Sequence, residues 1–194
     1  MKRFIVTGTP GAGKTAIIRQ LEADGFDVVE EAATDVIALC HAKGFAEPWK
    51  DPSFIETIVD LQDQRQRRAD RNADGIQFHD RSIFCTAALA NYLGYPISKG
   101  FGERLDATRA DETFQSSVFL VRSLGFVHNT DARRITLDEA LRFERIHEET
   151  YRRYGFEIVD VGPGCVTDRV ATIKNVVNRC VPAYAKSELI SDRD

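Results

Sequence analysis

The stretch Phe4-Ile5-Val6-Thr7-Gly8-Thr9-Pro10-Gly11-Ala12-Gly13-Lys14-Thr15 decides the fold. After a short apolar run it has a glycine, four further residues and then Gly-Lys-Thr, which is the phosphate-loop pattern. A glycine-rich turn could match by chance, but the apolar run before it and the amphipathic segment 16–21 after it are the context that the motif requires. We therefore expect a strand, a phosphate loop and a helix that together bind a nucleoside triphosphate.

Each residue of the loop has a predicted role. The glycines let successive backbone N–H groups curl around an anion, and the following helix directs its positive end at the same place. Lys14 adds a cation that also serves catalysis, and the Thr15 hydroxyl binds Mg²⁺. We therefore expect ATP and Mg²⁺ as cofactors, with the nucleotide held by Gly8, Thr9, Pro10, Gly11, Ala12, Gly13, Lys14 and Thr15.

Composition sets the outer bounds. A chain of 194 residues, 43% of them hydrophobic, suits one domain, which we place at 1–182 with a lid segment at about 124–135 and a tail at 183–194. A net charge of −4 argues against nucleic acid as a partner. Without an apolar run long enough for a membrane span or a secretory signal, we expect a cytoplasmic protein. The four cysteines and four histidines share no close spacing, so we expect reduced thiols and no zinc site, and we leave the oligomeric state open.

Apolar runs and helical periodicity alternate along the chain. Strands are predicted at Phe4–Thr7, Asp27–Glu30, Ile76–Asp80, Ser117–Val121 and Glu157–Val161. Helices are predicted at Lys14–Ala23, Ala32–Lys43, Phe54–Asn72, Ile83–Leu93, Gly102–Ala110, Leu137–Tyr154 and Asp168–Cys180. This alternation indicates a three-layer α/β fold of the P-loop NTPase class with a five-stranded, mainly parallel sheet. Ligands of such folds gather at the carboxyl ends of the strands.

Acidic and basic side chains follow three of these strands. Asp80 ends the third strand, where a phosphate-loop enzyme holds Mg²⁺, and Arg81 next to it can bind a phosphoryl group. Glu30 and Glu31 follow the second strand, and one of them can accept a proton from an acceptor hydroxyl; we prefer Glu31. The alternatives are ordinary ones, with Asp80 as a helix cap and the glutamates as favourable charges at a helix N-terminus. Arg122 follows the fourth strand.

A polar stretch between Leu124 and Ile135 is too long for a tight connection. Such loops are often lids that close over the substrate and exclude water. We expect Arg133 to contact the transferring group and Arg134 to contact the nucleotide. The alternative is a solvent loop whose arginines bind nothing specific.

The phosphate loop, Val28-Val29-Glu30-Glu31-Ala32-Ala33, Pro48-Trp49, Phe78-His79-Asp80-Arg81 and the arginine before a long helix together resemble the AAA-domain family of small predicted ATPases. That group is similar to the ribosylnicotinamide kinase domain of the bifunctional NAD-biosynthesis regulator. Asp80-Arg81-Ser82 also resembles the acid-Arg-Ser motif of deoxynucleoside kinases. The resemblance implies a kinase-like fold, an acid that handles Mg²⁺, an arginine that handles phosphate, and a base at Glu31 or else Glu30. The lids of adenylate-kinase-like proteins are usually dense in paired arginines, whereas this segment offers only Arg133 and Arg134.

Two functions are compatible with these features. The first is a Mg²⁺-dependent phosphotransferase acting on a small hydroxyl-bearing, nucleoside-like acceptor, with Trp49 stacking on its ring and Gln62 or Gln64 reading its edge. The second is a regulatory NTPase with slow hydrolysis and a protein or lipid target. Packing and solvent exposure are the ordinary alternatives for Trp49 and the glutamines. An enclosed cavity facing Glu31 and Asp80 favours the kinase, and an exposed switch surface favours the regulator.

Overall fold

The computed structural model describes residues 1–70, 75–126 and 135–181. Within these ranges five strands form one sheet in the order β2-β3-β1-β4-β5, and every neighbouring pair is parallel. The predicted five-stranded sheet is confirmed. Its strands are β1 (Lys2–Gly8), β2 (Asp27–Val29), β3 (Ile76–Asp80), β4 (Ser117–Val121) and β5 (Glu157–Val161).

Helices cover both faces of the sheet. Those in the described part of the chain are α1 (Lys14–Ala23), α2 (Ala33–Ala42), α3 (Ser53–Ala69), α4 (Ile83–Leu93), α5 (Lys99–Ala110), α6 (Leu137–Arg153) and α7 (Val166–Cys180), with a 3₁₀ turn at Pro48–Lys50. One hydrophobic core packs α1 and α7 against the sheet, and a second core on the opposite face packs α2 to α6 against it. The result is the three-layer architecture that the sequence indicates.

Strand β1 shows why the sheet is buried on both sides. Phe4 and Val6 belong to the core beneath α1 and α7, whereas Ile5 between them points into the other core, and all three are fully buried. Side chains of a strand alternate between its two faces, so a strand covered on both faces reads as a continuous apolar run.

Helix bounds follow from their caps. The predicted capping box at the start of α6 is present: the Thr136 side chain accepts from the Glu139 backbone N–H, and the Glu139 carboxylate accepts from the Thr136 backbone N–H. Helix α5 begins at Lys99, three residues before its predicted start, because the Ser98 hydroxyl caps it by accepting from Phe101 N at 3.1 Å. Helix α7 likewise begins at Val166, with Cys165 as its cap.

Strand order determines which loops meet. Strand β3 lies between β2 and β1, and β4 lies on the other side of β1. The carboxyl ends of these parallel strands therefore bring the segments after β2 and β3 beside the phosphate loop, although Glu31 follows Thr15 by 16 positions and Arg81 follows it by 66.

Candidate active site

The phosphate loop connects β1 to α1, and two of its glycines are required by the backbone. Gly8 has φ 141°, and a Cβ there would lie 2.4 Å from the Val121 carbonyl oxygen on β4. Gly13, the residue before α1, has φ 83°, and a Cβ there would lie 2.9 Å from a guanidinium nitrogen of Arg169. Both positions are left-handed and sterically tight, so only glycine fits them without strain. The loop is thus shaped as a cradle of backbone N–H groups at a helix N-terminus.

Lys14 and Asp80 lie together beside this cradle. The Lys14 ammonium is 3.9 Å from a carboxylate oxygen of Asp80, and both side chains are buried. Thr15, the next residue of α1, is exposed. The described residues contain no group of three or more His, Cys, Asp or Glu side chains that could hold a metal ion. One hydroxyl and one carboxylate suit Mg²⁺, which keeps several waters and is bound through one or two protein oxygens plus substrate phosphates.

Glu31 and Arg81 form an ion pair next to Asp80. Arg81 Nε lies 2.9 Å from Glu31 Oε1, and both side chains are largely buried. Burial opposes the charged guanidinium, but the anionic groups Cys85, Glu31 and Asp80 outweigh burial and raise the pKa of Arg81. The pair therefore holds a carboxylate and a permanent cation away from solvent.

The backbone of Arg81 is strained. Its φ of 73° lies in the left-handed region, which costs a residue other than glycine about 1–3 kcal/mol. Its backbone N–H donates to the Val6 carbonyl at 3.0 Å, which ties it to β1 at the point where the phosphate loop begins. Strain of this kind gathers at functional sites, where the surrounding structure fixes a side chain in one direction.

Glu30 faces elsewhere. Its carboxylate accepts a hydrogen bond from Arg19 of α1 at 2.8 Å, and both side chains are more than half exposed. The structure thus brings Glu31 to Arg81 and leaves Glu30 on the surface, which is the arrangement that the preference for Glu31 requires.

A cavity of about 330 Å³ opens beside the Glu31–Arg81 pair. Its walls are mostly apolar, and Glu31, Gln62, Arg81, Cys85 and Thr86 provide its main polar groups. Pro10 of the phosphate loop lines the same space, so cavity and loop are continuous. We call this space the inner cavity. Its apolar walls include Ile37, Trp49, Phe54, Ile58, Leu89 and Phe143.

Of the predicted acceptor residues, Trp49 and Gln62 line the inner cavity and Gln64 is exposed on α3. Gln62 is buried, and its side-chain oxygen accepts from the Thr86 hydroxyl at 3.3 Å. The Trp49 backbone carbonyl accepts from the Tyr95 hydroxyl at 2.9 Å, which fixes this wall to the end of α4.

The predicted lid arginines, Arg133 and Arg134, lie outside the described residues, as does the tail from residue 182 onward. The residues that follow the lid arginines are described: Ile135 and Glu139 line the inner cavity. Arg122, at the end of β4, pairs with Glu144 and Glu148 of α6 and with Asp160 of β5. These three carboxylates hold Arg122 away from the inner cavity.

Two functional candidates were missed in the sequence. Arg169 of α7 is buried and donates to the Ala12 carbonyl of the phosphate loop at 2.8 Å and to the Arg122 carbonyl at 3.2 Å. Its charge lies next to Gly13, beneath the phosphate cradle. An arginine on an otherwise apolar helix face, between Val166 and Val170, was the available signal.

The second missed feature is a buried cluster of Arg81, Cys85 and His147. Cys85 Sγ lies 2.9 Å from His147 Nε2 and 3.0 Å from Arg81 Nη1. Cys85 is on α4 and His147 on α6, so no spacing in the sequence joins them.

A phosphate loop at the edge of a parallel sheet, an acid at the end of β3 and a buried Glu–Arg pair beside a cavity define a P-loop protein with a kinase-like fold. Residues 3–169 match the model of a family described as AAA domain, and the chain belongs to that family. The resemblance seen in the sequence is confirmed. No protein with a curated description matches the sequence.

Solved structures share the fold at low sequence identity. A deoxyadenosine kinase from M. mycoides with bound dCTP has a TM-score of 0.62 at 15% identity, covering 92% of this chain and 100% of that one. The same kinase with the products dCMP and a flexible dCDP has a TM-score of 0.60 at 15% identity, covering 91% and 99%. NadR in complex with NR has a TM-score of 0.61 at 19% identity, covering 92% of this chain and 50% of that one. At such identities the likeness establishes the kinase-like P-loop NTPase fold. None of the described helices is long and apolar enough to cross a membrane.

Proposed function

We propose that the protein is a Mg²⁺-dependent phosphotransferase that moves the γ-phosphoryl group of ATP to a hydroxyl of a small, nucleoside-like acceptor. The observation that carries this proposal is the Glu31–Arg81 pair, which lines the inner cavity next to Asp80 and the phosphate loop. A kinase needs this order of parts, because the acceptor hydroxyl must approach the phosphoryl group from the side opposite the leaving nucleotide.

Glu31 and Arg81 divide the chemistry between them. The Glu31 carboxylate accepts the proton of the acceptor hydroxyl as the phosphoryl group is transferred, and the Arg81 guanidinium stabilises charge on that group. Their 2.9 Å contact holds both side chains in place before the substrate arrives. Preorganised charges of this kind need no rearrangement at the moment of reaction.

Thr15 and Asp80 would hold Mg²⁺ together with the phosphate oxygens. The ion supplies neutralisation of the charge that develops on the β- and γ-phosphates. Lys14 binds the same phosphates, and its position beside Asp80 keeps its ammonium at the cradle rather than in solvent.

The inner cavity supports a flat, partly apolar acceptor. Its volume of about 330 Å³ suits a small molecule, and its walls carry aromatic side chains with few polar groups. Trp49 can pack against a ring, and the buried Gln62 can donate from its amide nitrogen to the edge of that ring. A deoxyadenosine kinase and a protein bound to NR among the structural neighbours add weight to a nucleoside-like acceptor.

A regulatory NTPase is the alternative, and a mostly apolar cavity beside the candidate base favours the kinase over it. The test is a screen of ribosides, deoxynucleosides and sugar analogues for ADP release that depends on the acceptor and on Mg²⁺. We expect at least one nucleoside-like compound to stimulate ADP release and to gain a phosphate, detected by mass spectrometry. ADP release that no acceptor stimulates would contradict the proposal and favour the regulator.

A further inference from the structure

The buried cluster of Arg81, Cys85 and His147 places a thiol next to two basic side chains. Cys85 sits in the first turn of α4, and its sulfur lies within hydrogen-bonding distance of both Arg81 and His147. All three residues are less than one-tenth exposed. A thiol between a guanidinium and an imidazole is the arrangement that makes cysteine nucleophilic.

The hydrogen bonds of His147 direct one ring nitrogen at the sulfur. Its Nδ1 lies 2.9 Å from the Phe143 carbonyl, and since a carbonyl only accepts, Nδ1 donates. Nε2 is therefore left to share a proton with Cys85 Sγ. Arg81 can only donate, so it favours a negative charge on the sulfur, and His147 Nε2 can take up the proton of the thiol.

Charge at the cluster supports the same conclusion. Burial raises the pKa of Cys85, but the Arg81 guanidinium and the His147 imidazole more than offset it and lower that pKa to about 6. Tyr151 of α6 also faces the cluster; burial and the Cys85 charge raise its pKa, and its hydroxyl bonds Ser82 at 2.8 Å, so it stays neutral. Glu31 and Asp80 act on Arg81, whose pKa they raise together with Cys85.

The inner cavity gives small molecules a route to the sulfur. Cys85 lines this cavity along with Thr86 and Leu89 of the same helix. The residue as a whole is only 3% exposed, so a reagent must enter the cavity to reach it. The site thus selects for small reagents.

We propose that Cys85 is a covalent modification site for hydroperoxides that enter the inner cavity, and that its oxidation disables the Glu31–Arg81 pair. The first half is independent of the proposed function. The second half, loss of transfer, rests on that function.

The reaction balances without a further reagent. The thiolate attacks one oxygen of the hydroperoxide, so that an S–O bond forms and the O–O bond breaks. The sulfur is oxidised by two electrons to the sulfenic level, and the peroxide is reduced. The leaving oxygen takes the proton held at His147 Nε2 and departs as water or an alcohol.

The added oxygen changes the neighbourhood of Arg81. The Cys85 sulfur already accepts a hydrogen bond from Arg81 Nη1 at 3.0 Å. The new oxygen on this sulfur is a further acceptor, so it competes with the Glu31 carboxylate for the Arg81 guanidinium. Arg81 is also held by its backbone, so the side chain is the part that moves. A displaced Arg81 leaves the carboxylate and the phosphoryl group without their cation.

The modification is tested on the full-length protein with iodoacetamide, followed per cysteine by peptide mass spectrometry between pH 5 and 9. The exposed Cys180 is the internal control. The thiolate fraction of Cys85 rises with pH through a midpoint near 6 and then levels off, so its alkylation rate should plateau above about pH 7. At pH 6.5 we expect the alkylation rate at Cys85 to have reached about three-quarters of its plateau value, and the profile of Cys180 is the comparison.

A second reagent tests the oxidation itself. Hydrogen peroxide followed by dimedone should place a sulfenic-acid adduct on Cys85 of the wild type, and His147→Gln should slow this by about tenfold where circular dichroism shows that the variant is folded. Two results would overturn the modification site. One is that Cys85 stays free of adduct while Cys180 reacts to completion, and the other is that the alkylation rate of Cys85 has its midpoint above pH 8. Both are measured on the wild-type protein.

Loss of transfer is measured as the ratio of acceptor-dependent ADP release after and before peroxide. We expect this ratio to fall at least tenfold in the wild type, to stay near one in Cys85→Ser, and to recover after dithiothreitol. Fully modified wild type that keeps its activity would overturn the coupling to Arg81. If no acceptor is found, the proposed function fails while the alkylation and dimedone results still decide the modification site.

Discussion

In the proposed function, Lys14 is the residue on which nucleotide binding depends. Its ammonium is buried beside Asp80 at the phosphate loop. Water would compensate only weakly for the loss of this positive charge at a buried position. We expect Lys14→Ala to lower the affinity for Mg·ATP at least tenfold while the circular dichroism spectrum stays that of the wild type. Isothermal titration calorimetry measures this, with Lys50→Ala, an exposed lysine that pairs with Glu47, as the control. Equal affinities in both variants would contradict the phosphate-site assignment.

The neighbouring residues Glu30 and Glu31 provide a matched pair of variants for testing the general base. Glu31 contacts Arg81 inside the protein, and Glu30 contacts Arg19 at the surface. We expect Glu31→Gln to lower kcat by about a hundredfold, as the loss of a general base does, and to leave the affinity for ATP within about twofold. Glu30→Gln should leave both quantities near the wild-type values. Steady-state kinetics of the two variants with the acceptor found in the screen measure this difference. A Glu31→Gln enzyme with the wild-type kcat would show that Glu31 is not the base.

At the scale of the element, α7 supports the phosphate loop through one side chain. Arg169 donates to the Ala12 carbonyl and contacts the edge of Gly13, so it fixes the shape of the cradle from below. Arg169→Ala leaves a buried carbonyl without this donor, which costs about 1–3 kcal/mol. We expect a fall in melting temperature and a several-fold loss of ATP affinity, measured by calorimetry. Arg179→Ala, at the exposed end of the same helix, is the control, and identical behaviour of the two variants would show that the loop keeps its shape unaided.

Local sequence predicts these elements well and their ends less well. Ile76–Asp80 and Ser117–Val121 are predicted as strands because each contains Ile, Phe or Val and ends near a charged residue, and the structure has the same bounds. Strand β2 stops at Val29, one residue before its predicted end, since Glu30 turns to the surface. The early start of α5 was missed because Gly100 and Gly102 are weak helix formers, whereas the Ser98 cap and the buried Phe101 hold that turn in place.

At the scale of the whole molecule, the site depends on contacts that no local pattern reports. The phosphate loop and Asp80 were predictable because each follows its own strand and strand ends gather at one edge of the sheet. The bond between Arg169 and Ala12 spans 157 positions, and that between Cys85 and His147 spans 62. Such pairs depend on how α4, α6 and α7 pack. That packing is determined jointly by side chains that are far apart in the chain. The inner cavity could not be predicted from the sequence for the same reason, although Trp49 and Gln62 are predicted as residues that contact the acceptor.

The described residues that follow the predicted lid line the inner cavity. Ile135 and Glu139 line the inner cavity, and the capping box at Thr136 fixes where α6 begins. If Arg133 acts mainly on the transition state, Arg133→Ala should lower kcat more than it raises the KM for ATP. The double variant with Arg134→Ala should be worse than either single one, because the neighbouring arginine can substitute in part.

Arg142→Ala, an arginine of α6 stacked on Tyr92, is the kinetic control for these variants. Amide hydrogen exchange across residues 125–134 gives an independent measure, and we expect a non-hydrolysable ATP analogue with Mg²⁺ to slow it. Unchanged exchange together with wild-type kinetics in the double variant would contradict a lid. The cation for the transferring group would then come from Arg81, because Arg122 is already held by Glu144, Glu148 and Asp160.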